Sequence, residues 1–127
     1  MSAAPEFAFY STPVFDKWVR KNRLGSAVGK LKAEIEAAPE TGDVIPGYGG
    51  LRKIRMGGQG RGKSGGFRVV YFLLLGRTAA ALMRGYAKSE TENLPDDELK
   101  RLAASAAEFE AALEAARQSQ PQPEDDA

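Results

Sequence analysis

Between Val44 and Ser89 the chain carries no acidic residue, yet it holds Arg52, Lys53, Arg55, Arg61, Lys63, Arg68, Arg77, Arg84 and Lys88. Cations without counter-ions build a local positive field that attracts phosphates whatever the net charge of the whole chain. The plain alternative is a solvated basic face, although such faces usually mix signs. The rest of the chemistry is bounded by what is missing. The chain has no cysteine, which excludes disulfides, a thiol nucleophile and thiolate metal sites. It has no histidine either, so the usual general base and the commonest metal ligand are absent.

Two phosphate-binding patterns occur and fail on context. Residues Gly57 to Ser64 match the letters of a Walker A loop, and Gly60, Gly62 and Gly65 spell a GxGxxG. Both need a helix after the loop, whose N-terminus faces the phosphates, but Gly65-Gly66 leads directly into an apolar, β-rich run. A nucleotide hydrolase also wants an acidic magnesium ligand, and none follows before Glu90.

The elements that must position the cations follow from hydrophobic period. Phe7, Phe9 and Ser11 alternate with Ala8, Tyr10 and Thr12 as a short strand. Thr12-Pro13 is a helix start, with Val14, Phe15, Trp18 and Val19 at helical spacing and an end near Asn22 to Gly25. Trp18 on that stripe is expected in the core. A second helix carries Val28, Leu31, Ile35 and Ala38 on one face and is closed by Pro39. From Gly42 to Gly66 ten of 25 residues are glycine, and only Leu51 to Met56 looks regular, as a strand near a sheet edge with Leu51, Lys53 and Arg55 on one face. Phe67 to Leu75 is the strongest strand, apolar enough to be central and covered on both faces. Gly76-Arg77 turns the chain, and Ala79 to Lys88 returns with Leu82, Arg84, Tyr86 and Lys88 on one side. After Leu94-Pro95 an acidic first turn opens a helix striped by Leu99, Leu102, Ala106, Phe109 and Leu113.

The elements read as a strand, two helices, three further strands of which the middle one is the most apolar, and a final helix. Residues 1–117 form one domain and 118–127 a disordered acidic tail. No apolar run approaches a membrane span of about 18 residues. Met1 to Tyr10 has no basic region before an apolar one, so a cytoplasmic protein with no membrane partner is expected. No internal repeat is evident.

Gly49-Gly50-Leu51-Arg52-Lys53-Ile54-Arg55, Gly62 to Tyr71, Tyr86-Ala87-Lys88 and Glu92-Asn93-Leu94 together resemble the RelE/HigB-like toxins of bacterial toxin–antitoxin pairs. The resemblance covers roughly Phe7 to Leu102 and leaves Ala103 to Ala127 as an acidic extension. It implies an α+β fold, a small antiparallel sheet of about four strands packed against two N-terminal helices, with a C-terminal helix, and an endoribonuclease, metal-independent and without cofactors, that cuts messenger RNA at the ribosome and is silenced by a cognate antitoxin protein.

Such cleavage proceeds by attack of the RNA's own 2′-hydroxyl. Arg55 and Arg68 are then the candidates to stabilise charge on the phosphate. Lys63 could clamp the backbone or move a proton, and like-charge crowding makes Lys63 or Lys88 a conceivable base. Tyr86 could stack on a base or donate a proton. Lys53, Arg61 and Arg84 are candidate RNA contacts. Each has a structural alternative: a packed stem for Arg68, a half-buried strand aromatic for Tyr86, a solvated loop cation for Lys63. Two other functions share the features, a ParE-like toxin that binds DNA gyrase without catalysis and a basic nucleic-acid-binding module.

Overall fold

The computed structural model describes residues 7–57 and 66–119. In chain order these form β1 (Ala8–Ser11), α1 (Pro13–Lys21), α2 (Gly25–Ala37), β2 (Asp43–Val44), β3 (Arg52–Met56), β4 (Phe67–Leu74), β5 (Ala79–Ala87) and α3 (Asp96–Ser119). Gln118 and Ser119 thus belong to α3, and the remainder of the expected tail lies outside the described residues. No helix among the described residues is long and apolar enough to cross a membrane.

The strands make one sheet in the order β1-β5-β4-β3-β2. Pairing is antiparallel except for β1, which runs parallel to β5 with Ala8 opposite Ala79. A parallel pair requires a long crossover, and α1 through β4 supplies it. The fifth strand is β2, only two residues long inside the glycine-rich segment, where periodicity has nothing to register.

Thr12 starts α1 as expected. Its Oγ1 accepts a hydrogen bond from the Phe15 amide at 3.0 Å and donates one to the Met83 carbonyl at 2.8 Å, capping the helix and tying it to β5. Pro13 takes the first helical position, where no amide hydrogen is needed. The core-facing residues are Phe15, Trp18 and Val19, while Val14 is 61% exposed, because the 3.6-residue turn aligns 15 with 18 and 19 and not 14.

On one side of the sheet, α1 and α2 bury Phe15, Leu24, Leu31 and Ile35 against Val69, Tyr71 and Leu82. On the other, α3 lays Leu99, Leu102, Ala106, Phe109 and Leu113 over Val70, Leu74, Ala79, Ala81 and Met83. Strand β4 is therefore central and covered on both faces, as its composition predicts.

β5 departs from simple alternation. Tyr71 faces Leu82 while Val70 faces Arg84, so the register skips Met83. A bulge of this kind restarts the alternation on the opposite phase. Leu82 consequently enters the α1/α2 core, whereas Arg84 and Tyr86 point to the α3 side and Lys88 lies beyond the strand in a turn. The expectation that Leu82 shares a face with Arg84, Tyr86 and Lys88 is thereby corrected.

Candidate nucleic-acid interface

Residues directly opposed across neighbouring strands point to the same side of a sheet. Arg55 on β3 opposes Arg68 on β4, and Arg68 opposes Tyr86 on β5. One step along, Asp43 on β2 opposes Lys53, Lys53 opposes Val70, and Val70 opposes Arg84. Two adjacent rows on the α3 side thus gather Lys53, Arg55, Arg68 and Arg84, which lie up to 31 residues apart in sequence. The apolar cover of α3 runs from Leu74 and Ala79 to Val70 and Tyr86, which belong to these same rows, so the helix overlaps their β5 end.

Each cation is held differently. Arg55 is exposed, and Arg68 is partly buried with its Nη1 donating to the Phe67 carbonyl at 3.4 Å. Lys53 donates from Nζ to the Asn93 side-chain oxygen at 2.7 Å, and Asn93 in turn sits in a segment tightened by a bond from Thr91 Oγ1 to its carbonyl at 2.7 Å. Arg84 is bound to Glu98 in the first turns of α3, Nε to Oε2 at 2.6 Å. Lys88 is exposed in the turn after β5, where its amide donates to the Gly66 carbonyl at 3.2 Å and brings that turn beside the start of β4. Lys63 and Arg61 lie outside the described residues.

Tyr86 is only 2% exposed and packs with Val70, Leu94 and Leu99. Neither face of its ring is open to stack on a base. Its hydroxyl donates to the Glu92 carbonyl at 3.4 Å, and burial pushes the phenol up from its ordinary value, opposed by the positive charges of Arg68 and Arg84.

Because β2 ends after two residues, the edge of β3 is open from Ile54 onward. There a notch of about 660 Å³ is lined by Asp43, Lys53, Ile54, Arg55, Arg68 and, from α2, Glu34, with Thr41 and Gly42 above. It is wide enough for a nucleotide-sized ligand and presents three cations to it. Asp43, Asn93 and Glu98 were not singled out by sequence reasoning as site residues. Asp43 sits one residue before the acid-free stretch, and Glu98 is far from Arg84 in sequence, so no local pattern marks either.

The flanks of the glycine-rich loop settle the two phosphate motifs. Its flanks are two antiparallel neighbours, β3 and β4, and among the described residues the element that follows it is the strand β4 and not a helix.

Over residues 8–120 the chain matches the family of RelE toxins of the RelE/RelB toxin–antitoxin system. The match takes in most of the segment from Ala103 onward, which the sequence resemblance had left as an extension. Among solved structures the chain is similar to a free-state mutant of the E. coli toxin RelE bearing two arginine-to-alanine substitutions. The two are 15% identical with a TM-score of 0.55, over 80% of this chain and 97% of that one, a likeness of fold. The sheet with its cation rows and the helix laid across it all fall within the matched span, and the chain belongs to the RelE toxin family.

Proposed function

We propose that the protein is the toxin of a toxin–antitoxin pair that cuts messenger RNA on the ribosome, its partner being a cognate antitoxin. The observation that carries this reading is the pair of cross-strand rows, which puts Lys53, Arg55 and Arg68 around one open notch. An RNA strand offers a phosphate every nucleotide, and three cations on a rigid sheet can grip consecutive ones.

In this reading Arg55 and Arg68 stabilise the extra negative charge of the five-coordinate phosphate, and strand backbone rather than loop sets their spacing. Preorganised donors of that kind are often the largest contribution to catalysis. Lys53 holds the adjacent phosphate, Lys63 clamps the RNA backbone, and Lys88, in the turn beside the start of β4, donates a proton to the leaving oxygen. Tyr86 braces the floor beneath Arg68 and acts as a positioning residue, since its ring is buried. Arg61 adds affinity for RNA.

The test is induced expression of the chain and of Arg68→Ala in a bacterial host, with growth followed and new 5′ ends mapped on messenger RNA. Growth arrest with fresh in-frame cuts, both lost in the variant, is expected. Arrest without cuts would replace the nuclease with a bound target such as gyrase.

A further inference from the structure

Cleavage by 2′-hydroxyl attack needs a group that accepts the hydroxyl proton, and the chain has no histidine. The carboxylates around the notch differ in what they are doing. Glu98 is paired with Arg84, and Glu40 with Arg77 at 2.6 Å. Glu34 reaches the notch from α2 on the opposite side of the sheet and is engaged by another group. Asp43 opposes Lys53, so it stands on the same side as Lys53, Arg55 and Arg68, and no ion pair among the described residues includes it.

The backbone leading to Asp43 is pinned with unusual care for a glycine-rich segment. The Gly42 amide donates to the Tyr71 hydroxyl at 2.9 Å, and that hydroxyl donates to the Pro39 carbonyl at 2.9 Å. The Gly42 carbonyl accepts from Arg52 Nη1 at 2.8 Å, and the Glu40 carbonyl from the same nitrogen at 3.1 Å. A Cβ on Gly42 would lie 2.6 Å from the Tyr71 ring, so glycine is what lets the chain approach this closely. Tyr71 is fully buried, which makes the anchor part of the core. One buried tyrosine and one arginine are thus spent on fixing the residue immediately before a carboxylate.

We propose that Asp43 is the general base of the reaction, an inference that rests on the RNA-cleavage reading above. Its carboxylate takes the proton from the 2′-hydroxyl. The freed oxygen forms a bond to the adjacent phosphorus, and the bond from phosphorus to the 5′-oxygen breaks. That oxygen leaves with a proton from the Lys88 ammonium, giving a 2′,3′-cyclic phosphate and a 5′-hydroxyl end. The proton on Asp43 and the one lost by Lys88 are exchanged with water, so the cycle balances without a metal or redox partner. Arg55 and Arg68 act on the phosphate oxygens while Asp43 acts on the nucleophile.

The experiment compares the full-length chain with Asp43→Ala, Asp43→Asn and Arg68→Ala in single-turnover cleavage of messenger RNA on programmed ribosomes, with binding to a single-stranded RNA oligonucleotide measured in parallel. Both Asp43 variants are expected to cut about 100-fold more slowly or worse, the usual reach of general-base catalysis. Their RNA affinity should be unchanged or higher, because a negative charge has left the site. Formate should restore cleavage by Asp43→Ala in proportion to its concentration and leave Arg68→Ala slow. A rate within threefold of the parent, or a slow Asp43→Ala variant that formate does not rescue, overturns the assignment of the base while leaving the nuclease reading intact. A parent chain that cuts no RNA overturns both. The isosteric Asp43→Asn guards against a folding defect, and Asp43 is exposed on a two-residue strand.

Discussion

Arg84 and Glu98 meet at 2.6 Å where β5 passes beneath the start of α3, with their side chains 29% and 24% exposed. The pair fastens the helix to the sheet and also neutralises one of the four cations on the candidate interface. Substituting Glu98→Gln should release Arg84 to a phosphate. Each phosphate neutralised on a single strand contributes a slope of about 0.7 to the dependence of log affinity on log salt. The slope for an RNA oligonucleotide should therefore steepen by about 0.7 in Glu98→Gln and return to the parent value in Arg84→Gln/Glu98→Gln. An unchanged slope in the single variant would make Arg84 a purely structural anchor.

Gly85 lies under Trp18, and a Cβ there would sit 2.2 Å from the indole ring. Trp18 is held edge-on to Phe67 with ring centroids 5.6 Å apart, so it cannot retreat without disturbing the core beneath β4. Gly85→Ala should cost about 1–3 kcal/mol by overpacking. Chemical denaturation followed by Trp18 fluorescence would measure it, and a loss below about 0.5 kcal/mol would show that α1 shifts freely.

Asp96 opens α3 and accepts a short hydrogen bond from the Tyr48 hydroxyl. That bond first, and Lys100 second, hold its carboxyl below the ordinary range. A folded-state value below the unfolded one favours the ionised form, so the contribution is present above about pH 3.9 and fades as pH falls through the folded-state value. Tyr48→Phe should move the Asp96 titration upward and reduce the loss of stability on acidification. Carboxyl NMR titration of both proteins checks the direction.

The ring and hydroxyl of Tyr86 should separate cleanly. Tyr86→Ala removes a buried ring from between Val70, Leu94 and Leu99 and should cost about 3 kcal/mol or more. Tyr86→Phe loses only a long hydrogen bond to Glu92, and should cost no more than about 1.5 kcal/mol. Cleavage by Tyr86→Phe is expected within tenfold of the parent. A larger loss in a folded variant would give the hydroxyl a direct part in proton transfer.

Hydrophobic period and punctuation alone determined the helices, the order of the elements and the central strand β4. Those signals are local: Thr12-Pro13 caps a helix and Pro39 ends one, while Phe67 to Leu74 is too apolar to sit anywhere but between two layers. The absence of acids from Val44 to Ser89 was enough to mark a phosphate-seeking surface, and the face shared by Leu51, Lys53 and Arg55 was legible from the two-residue repeat.

What only the tertiary structure decided is which residues stand opposite which. The register that skips Met83 turns Arg84 and Tyr86 toward α3 and Leu82 away, and no sequence period encodes a bulge set by pairing with a distant strand. The burial of Tyr86 and the capture of Arg84 by Glu98 depend on where α3 comes to rest. Asp43 joins the interface because a buried tyrosine from β4 pins the glycine before it. Each is a contact between residues far apart in the chain, made only once the apolar faces have closed on the sheet.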